Sequence, residues 1–243
     1  VARDERRTAS TRKARAVRNG QSRLVKAFRA DTQALAGLDD QLSGGITGSD
    51  HIGELDGVDR AHFIGMLAAQ PWGPGTVGVD LRLALSDDAG AAKAGTIDNT
   101  TFSSLFSYAL GGHKVSAGWQ QLSGDSAFPY VDGADPYLVN FVQINDFANA
   151  DERSWQARYD YNFAALGVPG LTFMTRYING DNVSRASGGE GKEWERNTEL
   201  KYVVQSGPLK NVAVRLRNAT FRSNFARDAD EVRLLVSYSV ALW

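Results

Sequence analysis

Hydrophobic and polar residues alternate with a period of two along most of the chain, from about Ala27 to the end. One face of residues 76–85 is apolar and consists of Val77, Val79, Leu81, Leu83 and Leu85. The intervening positions include Asp80 and Arg82. Because successive side chains of a β-strand point to opposite faces, this pattern predicts strands with one apolar and one polar face. The same pattern recurs in residues 155–163, 212–217 and 232–242.

The connections between these segments alternate in length. Short turns rich in Gly and Pro are predicted at residues 37–40, 71–75, 111–112, 166–170 and 206–210. Mostly longer polar loops are predicted at residues 54–59, 86–98, 123–152, 180–194 and 223–229. Between these breaks lie about eleven strands. Short turns on one side and long loops on the other are typical of an outer-membrane barrel.

The predicted fold class is therefore all-β, as an antiparallel transmembrane β-barrel of the outer-membrane porin type. A soluble β-sandwich or a lipocalin-like barrel also alternates apolar with polar residues, but packs its apolar face into a core. The polar face here carries many charges, which favours a water-filled lumen. The basic members of this face are Arg82, Arg158, Arg176, Lys201, Arg215, Arg217 and Arg233.

Composition narrows the function classes. The 243 residues include no Cys, so thiolate nucleophiles and thiolate metal sites are excluded. No stretch approaches about 18 consecutive apolar residues, which excludes a helical membrane span. His51, His62 and His113 form no metal-spaced pair, and no nucleotide-binding or nucleophile-elbow motif occurs. We therefore expect no enzymatic activity, no metal and no cofactor.

The net charge of −1 hides an asymmetry. Residues 1–29 hold ten basic and two acidic side chains, which leaves 17 basic and 26 acidic ones in residues 30–243. No apolar region follows the basic stretch, so we expect a mature or trimmed chain without a signal peptide. The basic segment could bind nucleic acid or an anionic membrane, although the lack of aromatic residues before Phe28 argues against single-strand binding. Its arginines could instead occupy loop or ladder positions of the barrel.

Several segments resemble the OprD family of bacterial outer-membrane channels. They are residues 107–125 (SYALGGHKVSAGWQQLSGD), 135–147 (DPYLVNFVQINDF), 153–160 (RSWQARYD), 169–181 (PGLTFMTRYINGD) and 201–207 (KYVVQSG). The resemblance is dense from about Ala61 to Trp243 and thins before Arg60. It implies an eighteen-stranded monomeric barrel that takes up small carboxylates or related nutrients through a narrow eyelet. With about eleven strands visible, the chain resembles the C-terminal part of such a barrel.

In a barrel surrounded by lipid, the seven basic residues of the polar face would line one wall of the lumen. Guanidinium groups spaced along a wall offer an anion several weak sites, and the resemblance implies a similar basic ladder. The alternative is that some of them form ordinary ion pairs with Asp80, Asp160 and Glu199. These basic residues would then have a structural role only.

The longest predicted loop, residues 123–152, is rich in aromatic and acidic side chains. A long loop in a compact barrel is usually functional, here either by folding inward to narrow the pore or by extending outside the cell. The resemblance implies an inward constriction, with Asp135, Tyr137 and Asp146, and Tyr130 beside them, opposite the ladder. The alternative is that these acids only solubilise an exposed loop.

The function expected from these features is a substrate-selective outer-membrane diffusion channel for small carboxylate-containing nutrients. The alternatives are a barrel that acts as an adhesin or anchor with a closed lumen, and a soluble β-sandwich binding protein. Trp243, with Tyr238 in the alternating segment before it, resembles the C-terminal aromatic signal for barrel assembly. Expected partners are membrane lipid, lipopolysaccharide and the barrel-assembly machinery, with no nucleic acid and a monomeric state.

Overall fold

The computed structural model describes residues 12–18, 21–30, 33–42, 44–130, 135–185 and 187–238. Within them lie thirteen β-strands and one short 3-10 helix, Phe163–Leu166. The strands are β1 (Arg12–Arg18), β2 (Gln21–Ala30), β3 (Gln33–Leu42), β4 (Ile46–Leu55), β5 (Asp59–Trp72), β6 (Gly75–Asp88), β7 (Asp98–Leu110), β8 (His113–Ser123), β9 (Arg153–Asn162), β10 (Leu171–Val183), β11 (Gly191–Val203), β12 (Val212–Ser223) and β13 (Ala229–Tyr238). None of the described helical residues forms a segment long and apolar enough to cross a membrane.

All thirteen strands form one antiparallel sheet in which every strand pairs with its neighbours in sequence. Alternation predicts about eleven strands from about Ala27 onward, and eleven strands, β3 to β13, begin after that residue. Strands β1 and β2 lie within the basic N-terminal segment, so the strand pattern extends further toward the N-terminus than predicted. In the described residues β1 and β13 are the two edges of the sheet.

The strand register sorts side chains into two faces, because directly opposite residues of an antiparallel pair share a face. One row across β6 to β12 contains Gly78, Ser107, Ser116, Arg158, Arg176, Asn197 and Ala219. We call this the inward face. The opposite, outward face carries large apolar side chains that no part of the described chain covers, including Phe102, Phe106, Leu200, Leu216, Leu234 and Val236.

The inward face is covered by residues 135–152, the last part of the connection from β8 to β9, which we call the crossing segment. Phe147 and Val142 of this segment pack with Ile178 of β10, and the Phe147 and Ile178 side chains are fully buried. Apolar burial is therefore concentrated where the crossing segment meets the sheet, and the apolar outward face is available to lipid.

One predicted connection is wrong, and another is shorter than predicted. Residues 37–40 are predicted as a turn but lie within β3, where Gly37 is directly opposite His51. A Cβ at Gly37 would lie only 1.9 Å from the His51 ring, so this glycine makes room for an imidazole rather than for a turn. The predicted polar loop at 54–59 is a three-residue turn, because β4 continues to Leu55 and β5 starts at Asp59.

Candidate functional site

The crossing segment extends over the inward face from β5 to β13. Near its start, the Tyr137 ring packs on Phe63 of β5 with 5.9 Å between ring centroids, and the Tyr137 carbonyl accepts a hydrogen bond from Arg82 Nη1 at 2.6 Å. Further along, Gln143 Nε2 donates to Glu231 Oε2 of β13 at 3.2 Å. Arg233 Nη2 lies 3.4 Å from the Gln143 carbonyl. One stretch of chain therefore contacts strands that are eight positions apart in the sheet.

Side-chain amides on β8 and β9 hold the middle of the crossing segment. Gln120 Nε2 donates to the Phe147 carbonyl at 2.7 Å, and Gln156 Nε2 donates to the Val139 carbonyl at 2.7 Å. Asn140 Nδ2 donates to Ser154 Oγ, also at 2.7 Å. Buried backbone carbonyls without partners would cost free energy, and the inward amides of the strands provide those partners.

Buried carboxylates of β11 hold the next part of the segment. Glu195 Oε1 accepts from the Ile144 amide at 3.1 Å, and Glu195 Oε2 accepts from the Asn145 amide at 2.8 Å. Glu193 Oε1 accepts from the Asn145 and Asn149 side chains. The described carboxylates and histidines contain no group arranged to hold a metal ion.

The inward face of β9 to β12 carries a dense group of cationic side chains beside the crossing segment. Arg158 and Arg176 are directly opposite each other on β9 and β10, and Lys201 is directly opposite Arg215 on β11 and β12. We call Arg158, Arg176, Lys201, Arg215 and Arg217 the basic cluster. All five line one cavity of about 550 Å³, together with Lys114, Asp160 and Glu199.

Ion pairs neutralise part of the basic cluster. Arg158 forms a bidentate pair with Asp160, with Nε–Oδ2 and Nη2–Oδ1 distances of 2.8 and 2.7 Å. Glu199 Oε2 accepts from Arg217 Nε at 2.6 Å, and its Oε1 lies 3.4 Å from Arg215 Nε. These are the pairings that the alternative interpretation of the ladder predicts. Even so, the cavity is lined by six basic and two acidic side chains, so its net charge is positive.

Arg176 is the arginine of the basic cluster that has no ion pair with a carboxylate of the described residues. Its Nε donates to Asn197 Oδ1 at 2.8 Å, and within the described part of the chain no carboxylate lies within 4 Å of its guanidinium nitrogens. A neutral amide orients the guanidinium without neutralising it. Its remaining N–H groups are therefore suited to binding an anion.

The other two predicted ladder residues, Arg82 and Arg233, do not line the cavity of the basic cluster. Arg82 lies on β6, forms a bidentate pair with Asp80 at 2.9 and 2.6 Å, and anchors Tyr137. Arg233 lies opposite Arg217 on β13, but pairs with Glu231 and contacts Gln143. Both therefore hold the crossing segment.

The four residues predicted at the constriction lie in or just before the crossing segment. Asp135 Oδ1 accepts from the Tyr137 amide at 2.8 Å, which stabilises the positive φ of 59° at Tyr137. The Tyr130 hydroxyl donates to the Asp146 carboxylate. The Tyr137 side chain is 63% exposed, so it extends into open space on the inward face.

The part of the crossing segment that meets the basic cluster is 141–143, which the sequence pattern did not single out. Phe141, Val142 and Gln143 border a second cavity of about 210 Å³, whose other walls include Met174, Arg176 and Arg217. This cavity combines apolar side chains with two guanidinium groups and with the Glu199 carboxylate, which pairs with Arg217. Arg176 lines both cavities, as do Met174, Glu199 and Arg217.

The two residues predicted as an assembly signal lie at the end of the chain. Tyr238 is the last residue of β13 and is 60% exposed. Trp243 lies outside the described residues.

Sequence reasoning missed the residues that hold the crossing segment. Glu193, Glu195 and Asn197 occupy the inward period-two positions of β11, so their alternation with Trp194 and Arg196 could have placed them on the polar face. Nothing local distinguishes Gln120 and Gln156 from other lumen positions, because their partners are 27 and 17 residues away in the chain.

Comparison with known proteins identifies the family. Residues 2–242 match the family described as outer membrane porin, OprD family. The chain belongs to the OprD family of outer-membrane porins. Porin D of Pseudomonas aeruginosa is 37% identical over 231 residues, which cover 84% of this chain and 51% of that protein. The porin-like protein GalP of Pseudomonas putida is 41% identical over 192 residues, covering 78% of this chain and 46% of that protein.

Solved structures of OprD-type porins confirm the barrel fold. The crystal structure of Pseudomonas aeruginosa OccK5 (OpdH) matches with a TM-score of 0.87 at 52% identity, covering 91% of this chain and 67% of that one. OccK10 (OpdN) of the same species matches with a TM-score of 0.89 at 45% identity, covering 97% of this chain and 73% of that one. The chain spans about half the length of the curated relatives it matches. As a member of the OprD family, it is an outer-membrane protein, and its relatives are porins rather than enzymes.

Proposed function

We propose that this protein is a passive, substrate-selective diffusion channel for small molecules that carry a carboxylate. The observation that carries the proposal is the cavity on the inward face, with six basic and two acidic lining side chains beside the crossing segment. Several guanidinium and ammonium groups at close spacing replace part of the hydration of an anion without binding it too tightly to leave. In this proposal the basic cluster is the substrate pathway and the crossing segment is the constriction.

The second cavity supports a more specific substrate class, namely carboxylates attached to an apolar group. Arg176, which pairs with no carboxylate of the described residues, can bind the carboxylate while Phe141, Val142 and Met174 contact the apolar part. One structure of a relative, Pseudomonas aeruginosa OpdK, is with vanillate, an aromatic carboxylate. That protein is 37% identical to this chain with a TM-score of 0.83.

The remaining expectations form part of the same proposal. No reaction is catalysed and no cofactor is bound. Lipid and lipopolysaccharide surround the apolar outward face, and the barrel-assembly machinery inserts the chain by its C-terminal strand. The channel is a monomer, and the basic segment 1–29 contributes strands to the barrel wall rather than a nucleic-acid-binding arm.

Single-channel recording of the complete protein in planar bilayers tests this function. We expect steady conductance with anion preference, measured as the reversal potential in a salt gradient. Liposome swelling should be faster with vanillate than with vanillyl alcohol, which has the same ring but no carboxylate. A barrel without steady conductance would instead indicate an adhesin or anchor with a closed lumen, and equal swelling rates would contradict carboxylate selectivity.

A further inference from the structure

The Glu152 carboxyl group lies at the point where the crossing segment joins β9. Its side chain is fully buried, and its Oε2 accepts hydrogen bonds from the Asn149 amide at 3.0 Å and from Asn149 Nδ2 at 2.9 Å. Its Oε1 is also buried, but no N–H or O–H donor of the described residues reaches it. An ionised Glu152 would therefore keep one buried carboxylate oxygen without a donor, which is costly.

The group beside Glu152 is a second carboxyl, that of Glu193. Asn149 Nδ2 donates to both, to Glu152 Oε2 at 2.9 Å and to Glu193 Oε1 at 3.2 Å, so the two carboxyl groups lie side by side. Two carboxylates have only acceptors, so they can form a hydrogen bond only when one of them carries a proton. Gly180 of β10, directly opposite Glu193, leaves the space for this contact, because a Cβ there would lie 2.3 Å from Glu152 Oε1.

We propose that Glu152 and Glu193 share one proton, that this proton fixes the crossing segment to the barrel wall, and that its loss releases the segment and widens the pore. Glu152 is in this sense a positioning residue. The widening rests on the proposed function, in which the crossing segment is the constriction. The fixing of the segment depends only on the contacts described here.

The charges around the pair favour the shared proton. Glu195 and Asp146 add negative charge near Glu193. Arg176 lies near Glu195 and offsets part of the negative charge of that carboxylate. Burial, followed by the negative charge of Glu193, raises the pKa of Glu152 to about 9. Glu152 is therefore protonated at neutral pH in the closed arrangement.

The carboxyl pair holds the crossing segment at two residues. Glu152 holds Asn149 through its backbone and side chain, and Glu193 accepts from the side chains of Asn145 and Asn149. A second negative charge on these four oxygens would repel the first in a site with little water. Release of the segment would expose both carboxyl groups and relieve that repulsion.

Proton linkage determines whether the crossing segment is released at high or at low pH, and over which pH range. A carboxyl whose pKa is about 9 in the closed state and ordinary when released binds more protons when closed. The equilibrium constant for release should therefore rise by up to about tenfold per pH unit between about pH 4.5 and about pH 9, and level off above that. Low pH closes the segment, and high pH releases it.

Two measurements on the complete protein test the inference, using wild type, Glu152→Gln and a control, Glu190→Gln. Glutamine keeps the acceptor for Asn149 and can donate to Glu193 at every pH, whereas Glu190 is an exposed acid paired with Lys192. Hydrogen-exchange protection factors of amides 144–149 should fall as pH rises from 6 to 9 in wild type and in the control. They should stay constant in Glu152→Gln. Conductance should rise over the same range in the two proteins that retain Glu152.

The outcomes distinguish this inference from the proposed function. Hydrogen-exchange protection that falls with pH equally in Glu152→Gln and in wild type would contradict the proposal of a shared proton. Protection that does not change with pH in wild type would contradict it as well, and both conclusions hold even if the channel conducts. The expected protection pattern in a protein without conductance would support the proton-dependent anchor and contradict the proposed function. If Glu152→Gln fails to fold, Glu193→Gln replaces it, because that amide can donate to Glu152 without a titrating proton.

Discussion

Arg158 and Arg176 occupy directly opposite positions on β9 and β10, so two guanidinium groups share one row of the inward face. Their surroundings differ. Arg158 is held by the Asp160 carboxylate, whereas Arg176 contacts the neutral Asn197 amide. Opposite cross-strand residues lie about 5 Å apart, where like charges repel. An anion bound at Arg176 would offset this repulsion. Arg176 is therefore the arginine of the basic cluster at which we expect an incoming anion to bind most favourably.

Neutralising Arg176 should therefore weaken anion selectivity more than neutralising Arg158. We expect Arg176→Gln to shift the reversal potential in a salt gradient further toward zero than Arg158→Gln, and the double variant to shift it most. The difference should shrink at high salt, because the Debye length falls from about 10 Å at 0.1 M to about 3 Å at 1 M. Arg222→Gln, which removes an arginine paired with Asp230, is the control. Unchanged selectivity in the double variant would leave the basic cluster with a structural role only.

Arg82 should behave differently from the basic cluster, although it was predicted to belong to the same ladder. Because Asp80 neutralises it and its Nη1 holds the Tyr137 carbonyl, Arg82→Gln should change the rate of open-channel fluctuations rather than the ion preference. Single-channel noise and reversal potential, recorded on the same channels, separate these effects. A loss of anion preference as large as that of Arg176→Gln would indicate that Arg82 belongs to the substrate pathway.

Removing the acids of the crossing segment should widen the pore. Asp146→Ala removes the acceptor of the Tyr130 hydroxyl, and Asp135→Ala removes the acceptor that holds the turn at Tyr137. We expect larger unit conductance and weaker discrimination against carboxylates that lack a cationic group, measured by liposome swelling. Tyr130→Phe is the matched variant for Asp146, since it removes the same hydrogen bond without a change of charge. Wild-type conductance in all three would exclude a role for these contacts in the constriction.

Glu195 should contribute strongly to the anchoring of the crossing segment. Glu195→Ala leaves the Ile144 and Asn145 amides and the Asn197 side chain without their acceptor. Each buried donor left unpaired costs about 1 to 3 kcal/mol. Limited proteolysis should then cut the segment between residues 135 and 149 in the folded barrel. Lys192→Ala, which breaks an exposed ion pair, should leave the segment resistant, as surface pairs contribute only about 0–1 kcal/mol.

A charged side chain on the outward face should destabilise the barrel. Leu81→Arg places a guanidinium among apolar neighbours of β6, which costs about 2 to 4 kcal/mol near the bilayer midplane. Ser107→Arg is the matched control, because Ser107 lines an inward cavity with Asp80 and Lys114. The free energy of unfolding from lipid vesicles, measured in urea, should fall for the first variant only. A similar loss in both would contradict the assignment of the two faces.

The sequence by itself determined the strands and their two faces, since alternation with a period of two is a local property that does not depend on distant contacts. Most connections followed from the same reasoning. Gly37 was misjudged because glycine can serve either a turn or a close approach, and only the position of His51 across the strand pair distinguishes them. The acidic and aromatic content of residues 123–152 indicated a functional loop, but not the contacts that it makes.

Only the tertiary structure decided which side chains act together. Sequence alternation assigned seven cations equally to one face, and the strand register then gathered five of them around one cavity. It placed Arg82 against Tyr137 and Arg233 against Gln143 of the crossing segment. Asn149 brings together the carboxyl groups of Glu152 and Glu193, which are 41 positions apart in the chain. Such contacts depend on sheet register and on the path of the crossing segment, which are long-range properties that no local pattern encodes.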